Sequence, residues 1–247
     1  MSTGFTVPIV HSPVSPSKAY SYRSKMGLVP SAEFFVFHDD FVGAMTTNVP
    51  VGWDATLIDT GATVVADTTA GSLGATGVLL FDSDGATEGA TIYGEKSLQL
   101  TAGKRFFMEI RFQSELVADS DVQFGLSALT AVTNPEDIWQ TDAADVVAFG
   151  VLDGDATVTM LADKSNSGST AELGTRDLVD ATWHTLAIGY DGSKLRGYVD
   201  GKLALTWAQA STTIPTGVAL APFVGWRNGS AATTEGHLDY VRIVLER

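Results

Sequence analysis

Residues 181–202 read ATWHTLAIGYDGSKLRGYVDGK and hold the clearest structural pattern in the chain. Two Asp-Gly pairs, Asp191-Gly192 and Asp200-Gly201, separate three short runs of mainly apolar residues. Asp-Gly suits a tight hairpin because both central positions of a type I′ turn need a positive φ. The stretch therefore predicts three antiparallel strands joined by two turns.

The strand pattern continues outward from this stretch. In RFFMEIRF, residues 105–112, one face holds Phe106, Met108, Ile110 and Phe112 and the other holds Arg105, Glu109 and Arg111. This split is the period of a strand with one buried face. Further strand-like runs occupy residues 121–128, 145–152, 156–162, 184–190, 194–199, 202–207, 217–226 and 237–245. Further turn signals are Asp84-Gly85, Asp153-Gly154 and Asn228-Gly229.

Helical patterns are scarce. NPEDIW, residues 134–139, predicts one helical turn with Asn134 as its N-cap and Pro135 at the first helical position. Short strands separated by turn residues favour an all-β fold of two antiparallel sheets packed face to face.

Three segments carry a resemblance to a known superfamily. The meander at 183–201 resembles the signature of laminin-G-like and concanavalin A-like jelly rolls: Trp-His, then two Asp-Gly turns around a hydrophobic-Tyr-hydrophobic strand. The segments 107–112 and 236–243 resemble an earlier strand and the closing strand of that superfamily. The resemblance implies a two-sheet antiparallel jelly-roll sandwich over residues 34–247, and it implies fold rather than function.

Composition excludes several kinds of chemistry. The 247 residues include no cysteine, so disulfides and thiolate sites are absent. The formal charge of −14 argues against nucleic acid as a partner, because phosphate contacts need clustered cations. No apolar run approaches the roughly 18 residues of a membrane span, so we expect no membrane partner.

Charge is divided unevenly along the chain. Residues 1–32 hold three cations and no acid, which gives +3. The other 12 basic and all 29 acidic residues follow, so residues 33–247 carry −17. Four of the eight prolines also lie in the first segment, and proline disfavours central strands and long helices. These features predict an extended N-terminal arm over residues 1–33, ahead of the sandwich at 34–247.

The N-terminal arm is also apolar, unlike most solvated tails. A frayed terminus is the alternative, since chain ends commonly are poorly ordered. We favour an arm that docks on a partner, because extended peptides commonly bind through apolar anchors. The predicted partner-binding residues are Phe5, Val7, Ile9, Val10, Lys18, Tyr20, Tyr22, Arg23 and Lys25.

Catalytic patterns are missing from the sequence. Jelly-roll glycanases of the laminarinase type carry two carboxylates on one strand spaced E-x-D-x-x-E. This spacing does not occur here, and the four histidines are scattered. We therefore predict that the protein is not an enzyme, and we expect no cofactor.

Two kinds of binding site remain possible. The segment FDSDGATE places Asp82, Asp84 and Glu88 close together, and calcium prefers such oxygen ligands. We interpret it as an acidic surface turn, so we predict no metal site. Sugar binding needs exposed aromatic rings beside polar groups. The candidates for it are Trp139 and Trp226, and Asn134 and Asn228 lie within a few residues of them, where they could orient a sugar.

The order of arm and sandwich resembles virion structural proteins of tailed bacteriophages, and capsid decoration (cement) proteins in particular. That resemblance implies a capsid surface location and the major capsid protein as a partner. Neighbouring copies of the chain would be further partners, in a homotrimer or else a homodimer. The alternative function is a carbohydrate-binding or adhesive module of a tail or fibre.

Overall fold

The computed structural model describes residues 34–41, 45–46, 49–50, 52–58, 61–67, 77–128, 145–165, 171–229 and 234–246. The predicted N-terminal arm and the predicted helical turn at 134–139 lie outside these residues. The described strands are β1 Phe34–Asp39, β2 Met45–Thr46, β3 Val49–Pro50, β4 Asp54–Ile58, β5 Thr63–Ala66, β6 Leu79–Asp82, β7 Gly89–Tyr93, β8 Leu98–Gln99, β9 Phe106–Ser114, β10 Ser120–Ser127, β11 Val146–Leu152, β12 Asp155–Asp163, β13 Glu172–Asp177, β14 His184–Tyr190, β15 Leu195–Val199, β16 Lys202–Thr206, β17 Ala219–Asn228 and β18 Glu235–Glu246.

Two antiparallel sheets form a sandwich. Sheet 1 has the strand order β16-β15-β14-β9-β18-β6-β5, with β1 paired to the other half of β18. Sheet 2 has the order β13-β12-β11-β10-β17-β7-β4, with β8 also paired to β17. The fold is therefore the predicted all-β jelly-roll sandwich. The described part of the chain contains one short 3-10 helix, Ser211–Thr213, and no helix with the length and apolar character of a membrane span.

The core lies between the two sheets. On the inner face of sheet 1, the even-numbered residues of β9, Phe106 to Phe112, are at most 2% exposed. On the inner face of sheet 2, Val122, Phe124 and Leu126 of β10 are at most 1% exposed. The rings of Phe124 and Phe149 meet edge to face with centroids 6.0 Å apart. The period of two in the sequence thus corresponds to burial between the sheets.

Three of the predicted turns join neighbouring strands. Asp200 and Gly201, with φ of 50° and 73°, form the two-residue turn between β15 and β16. Asp153-Gly154 joins β11 to β12. The turn at Asp191-Gly192 is longer, at residues 191–194.

The hairpins predicted at Asp84-Gly85 and Asn228-Gly229 are wrong. Asp84-Gly85 follows β6 of sheet 1 and precedes β7 of sheet 2, so this connection crosses between the sheets. The segment after Asn228 likewise connects β17 of sheet 2 to β18 of sheet 1. Dipeptide chemistry favours a reversal of the chain, but it does not determine which sheet receives the next strand.

His184 and Asp200 tie the start of β14 to the β15–β16 turn. The Asp200 carboxylate lies 2.8 Å from His184 Nδ1 and accepts the Thr185 N–H at 2.9 Å. His184 Nε2 accepts the backbone N–H of Val179. Burial raises the pKa of Asp200, but the hydrogen bonds from His184 and Thr185 outweigh burial and lower it. His184 therefore has a structural role in this part of sheet 1.

The longer turn depends on one carboxylate. Asp191 accepts hydrogen bonds from the backbone N–H groups of Ser193 and Lys194, and Arg196 Nη1 lies 2.6 Å from its Oδ2. Burial raises the pKa of Asp191, but these hydrogen bonds outweigh burial and lower the pKa to about 2. The turn is therefore most stable when Asp191 is ionised.

We predict that Asp191→Ala lowers the free energy of unfolding by about 1–2 kcal/mol at pH 7. Because the folded-state pKa is depressed from 3.8 to about 2, this stabilisation is complete above pH 4 and is lost as the pH falls through 2. Urea titrations at pH 7, 4 and 2 measure the effect. The exposed Glu95→Ala is the control, and a wild-type advantage that does not shrink toward pH 2 contradicts the prediction.

Candidate functional site

A row of polar side chains crosses the outer face of sheet 2. Because side chains alternate along a strand, the odd-numbered residues of β10 point away from the core. Gln123 lies opposite Gly150 of β11 and Gly225 of β17. Thr159 of β12 and Thr91 of β7 extend the row on its two sides. We call Thr159, Gly150, Gln123, Gly225 and Thr91 the polar row.

The polar row contains hydrogen-bonding groups that lack partners. Gln123 and Thr91 have no exposed surface. Among the described residues, neither amide atom of Gln123 nor the hydroxyl of Thr91 makes a hydrogen bond. Each buried polar group left in this state costs about 1–3 kcal/mol. Such a cost is commonly tolerated at a site where a ligand or water supplies the partner.

A charged pair lies beside the polar row on the same face, two residues away along each strand. Asp121 lies opposite Arg227, with Asp121 Oδ2 3.6 Å from Arg227 Nη1. Asp121 accepts the Asp153 N–H at 2.9 Å, and Arg227 Nε donates to the Thr87 carbonyl at 2.9 Å. These bonds hold both side chains in place on the outer face. The pair adds no net charge beside the polar row.

An apolar ledge borders the other side of the polar row. It consists of Val146, Ala148, Leu161 and Phe223, with Tyr93 packed against them. Phe223 is fully buried, whereas Tyr93 is half-buried at the edge of the ledge. Aromatic rings offer flat apolar surface, and tyrosine also offers a hydroxyl.

Glycines allow the backbones beside Gln123 to approach closely. A Cβ on Gly150 would collide with the carbonyl oxygen of Val122, and one on Gly125 would collide with that of Val147. Close approach of neighbouring backbones therefore requires glycine at both positions. As a consequence, Gln123 lies next to backbone instead of side chain across β11.

The outer face combines groups for recognition. An amide both donates and accepts, a hydroxyl does the same, and the ledge supplies apolar contact. Of the outward positions on β10 from Asp121 to Ser127, only Asp121 is a carboxylate. Hydrolysis of glycosides ordinarily uses two carboxylates across the bond, so this strand alone does not supply that pair.

The structure corrects the assumption that Trp226 is exposed. Trp226 has no exposed surface, its ring points into the core, and its Nε1 donates to Ser114 Oγ at 3.4 Å. Its position on β17 has the same parity as the core residues Leu220 and Val224, so the pleat turns it inward. Trp139, the other predicted ring, lies outside the described residues.

Asn228 is likewise a structural residue here. It is fully buried, and its Nδ2 donates to Ser83 Oγ and to the Gly85 carbonyl. Its Oδ1 accepts both the backbone N–H and the hydroxyl of Thr234. These bonds connect the two crossovers between the sheets, so the Asn228 amide is not available to orient a sugar.

The acidic segment at Asp82, Asp84 and Glu88 lies at one end of the sandwich. Asp82 and Asp84 line a pocket of about 300 Å³ together with Glu115 and Glu235. Burial, followed by the charge of Glu115, raises the pKa of Glu235. In the part of the chain that the structure describes, no group of three or more acidic or histidine side chains is arranged to hold a metal ion.

The sequence patterns do not indicate the polar row or the ledge. The segment DVQFGLS predicts a strand, but it indicates no role for Asp121 or Gln123. A usable signal was present, because these polar residues alternate with Val122, Phe124 and Leu126. Their neighbours Thr91, Gly150 and Gly225 are far away in sequence, and only strand pairing brings them together.

The fold agrees with a comparison against family models. Residues 117–245 match the family described as concanavalin A-like lectin/glucanases superfamily. The match covers more than half of the chain and includes β10 to β18 apart from the last residue of β18. The protein belongs to this superfamily. A search of curated proteins found no match.

Solved structures with the same fold include lectins and enzymes. Peanut lectin is 12% identical, with a TM-score of 0.58 over 87% of this chain and 98% of its own. A Bacillus licheniformis β-glucanase is 17% identical, with a TM-score of 0.52 over 84% and 97%. The Crh5 transglycosylase is 15% identical, with a TM-score of 0.54 over 86% and 84%. Similarity at this level shows a shared fold.

We predict that Trp226→Ala lowers the free energy of unfolding by about 3–5 kcal/mol, because it leaves a large cavity between the sheets. Urea denaturation followed by circular dichroism measures the change. Trp183→Ala is the matched control, since Trp183 is half-buried beneath the Arg111 guanidinium, 4.8 Å from its ring centroid. Equal, small decreases in the free energy of unfolding in both variants would show that Trp226 is not a core residue.

Proposed function

We propose that the protein binds carbohydrate on the outer face of sheet 2. The observation that carries this proposal is the Gln123 side chain, fully buried on that face with neither amide atom hydrogen-bonded. Membership of a superfamily of lectins and glucanases supports a saccharide as the ligand. The solved structures of similar fold, which include peanut lectin, support it further.

The chemistry of the outer face suits a sugar ring. Adjacent hydroxyls of a sugar both donate and accept, which matches the Gln123 amide and the Thr91 hydroxyl. A sugar also has an apolar face, and Tyr93 on the ledge offers an aromatic surface for it. Gln123 and Thr91 have no exposed surface, so bound hydroxyls would satisfy these groups only when the part of the chain that covers them moves aside.

Charge favours a neutral saccharide. Asp121 and Arg227 offset each other beside the polar row, so the row has no excess of cations to attract sulfate or carboxylate groups. Residues 33–247 carry a net charge of −17, obtained from 12 basic and 29 acidic residues. Such a charge repels polyanionic glycans at ordinary ionic strength.

We predict that wild-type protein binds at least one neutral oligosaccharide on a glycan array, and that Gln123→Ala weakens this binding about tenfold. Loss of two hydrogen bonds at about 0.5–1.5 kcal/mol each gives this magnitude. Isothermal titration calorimetry with the array ligand measures the affinity.

Gln113→Ala is the matched control for this experiment. Gln113 is the same residue type on β9 of sheet 1, in the other half of the sandwich, and its loss should leave affinity unchanged. The proposal fails if wild type binds no glycan, or if the two variants bind equally well.

The stability of the same site provides an independent prediction. Gln123→Leu replaces an amide without partners by an apolar group of similar size, so unfolding free energy should rise by about 1–2 kcal/mol. Differential scanning calorimetry without ligand should show Tm higher by about 2–4 °C. A fall in Tm would mean that the amide stabilises the fold, and that it is not reserved for a ligand.

We infer that this site binds without turnover. The outward positions of β10 hold one carboxylate, Asp121, and its Oδ1 is occupied by the Asp153 N–H. The structures of similar fold include a β-glucanase and a transglycosylase as well as a lectin. The single carboxylate among the outward positions of β10 is the observation that favours binding without catalysis, as in a lectin.

A second candidate function is the capsid decoration role. The observation that favours it is the charge division of the sequence, with +3 in residues 1–32 and −17 in the remainder. In this proposal the N-terminal arm binds the major capsid protein and neighbouring copies at the capsid surface. A homotrimer, or else a homodimer, would raise the effective affinity of modest contacts.

We predict for this second candidate that full-length protein binds expanded, undecorated capsids and that removal of residues 1–32 abolishes the binding. Co-sedimentation with capsids measures it. The Gln123→Ala variant serves as the control, because its change lies on the sandwich and not in the arm. Undiminished capsid binding by the shortened chain would eliminate the role of the arm.

A further inference from the structure

A polar pocket of about 450 Å³ lies where β14 ends and its turn to β15 begins. This volume is within the range of small-molecule sites. Three separate segments of the chain supply the polar side chains that line it: Lys164, Tyr190, Ser193, Ser211, Thr212 and Thr216. None of them belongs to the polar row on the outer face of sheet 2. We call this cavity the Tyr190 pocket.

The Tyr190 hydroxyl has no hydrogen-bond partner in the described part of the chain. Tyr190 is 2% exposed, and its ring packs with the core between the sheets. Because the ring lies in the core while the residue lines the pocket, the hydroxyl is the group that faces the cavity. Burial, and then the charge of Asp191, raise the pKa of this phenol, so it keeps its proton at pH 7. It is therefore available to donate to a ligand.

Lys164 supplies a positive charge at the same pocket. Its Nζ donates to the Thr216 carbonyl at 2.7 Å, which fixes the ammonium group and leaves two of its three N–H groups for a ligand. Among the described residues that line the pocket, Lys164 is the one charged side chain.

Two acidic residues adjoin the pocket in sequence. The charge of Asp191 is offset by Arg196, whose Nη1 lies 2.6 Å from Asp191 Oδ2. Asp163 shares the parity of Leu161 on β12, so the pleat directs it to the outer face of sheet 2. The charge of Lys164 therefore remains to attract an anionic group into the pocket.

Backbone hydrogen bonds hold the walls of the pocket together. The Gly103 N–H donates to the Gly192 carbonyl at 2.8 Å, and the Gly217 N–H donates to the Leu100 carbonyl at 2.9 Å. These bonds join the loop before β9 to the β14–β15 turn and to the segment after β16. A pocket whose walls are already joined requires little ordering when a ligand binds.

We propose that the Tyr190 pocket binds a small molecule that carries one carboxylate group. The Lys164 ammonium pairs with the carboxylate and the Tyr190 hydroxyl donates to it, and such charge-assisted hydrogen bonds are the stronger kind. One carboxylate balances the one cation of the pocket. The exposed hydroxyls of Ser211 and Thr212 donate and accept, so they suit hydroxyl groups on the rest of the molecule.

Titration of isotopically labelled full-length protein with sodium acetate and with sodium gluconate tests the proposal through amide chemical shifts. We expect saturable shifts at Gly192, Ser193 and Thr212, with a Kd of about 1–10 mM for the better carboxylate. Sodium chloride at equal ionic strength and neutral glucose should give no saturable shift at these amides. Absence of a saturable shift with both carboxylates would overturn the proposal.

Three variants assign the binding to the pocket. Tyr190→Phe should weaken it about tenfold, because it removes one hydrogen bond to a charged group. Lys164→Met should weaken it by at least about tenfold. Lys202→Met is the matched control, since Lys202 is an exposed lysine at the opposite end of β15, and its loss should leave affinity unchanged. Equal affinity in the Tyr190→Phe and Lys202→Met variants would contradict the assignment.

Two further measurements separate this site from its alternatives. The Tm of Tyr190→Phe should equal or exceed that of the wild type, because the hydroxyl has no partner to lose. A clear fall in Tm would show that the fold itself uses the hydroxyl, and would overturn the proposal. Tighter binding of inorganic phosphate than of either carboxylate would overturn the choice of a carboxylate as the ligand group.

Discussion

The pleat of strand β10 is the constraint on which both the core and the candidate site depend. Val122, Phe124 and Leu126 point inward, so Asp121 and Gln123 must point outward. A slip of one residue would exchange the two sets and place an amide between the sheets. Pairing with β11 and β17 prevents that slip. The register that buries the aromatic core thus also directs Asp121 and Gln123 to the outer face of sheet 2.

The two outer faces of the sandwich differ in kind. Sheet 2 presents an amide, hydroxyls, an ion pair and an apolar ledge, whereas the outer face of sheet 1 carries a buried cluster around Phe34, Phe107 and Tyr198.

Sequence patterns predicted most of the strands of the second half of the chain, because they alternate strongly and end at Asp-Gly turns. The prediction for β14 matches the structure residue for residue, and the Asp153-Gly154 turn joins the expected strands. The sequence patterns predicted the candidate site less well than they predicted the strands. Trp226 was expected at the surface because tryptophan suits sugar stacking, but the parity of β17 directs it inward. Asn228 was expected beside a sugar, yet it connects two crossovers.

The sequence by itself determined the class of fold, since period-two hydrophobicity and turn chemistry are local properties of adjacent residues. It also determined the division between a basic, proline-rich first segment, residues 1–32, and an acidic remainder. The tertiary structure alone decided which polar residues share a face. Thr91, Gln123 and Gly225 become neighbours only through strand pairing, because hydrogen bonds between strands join segments separated by many residues. Burial then leaves the Gln123 amide without a partner, and that property depends on the packing of the whole sheet.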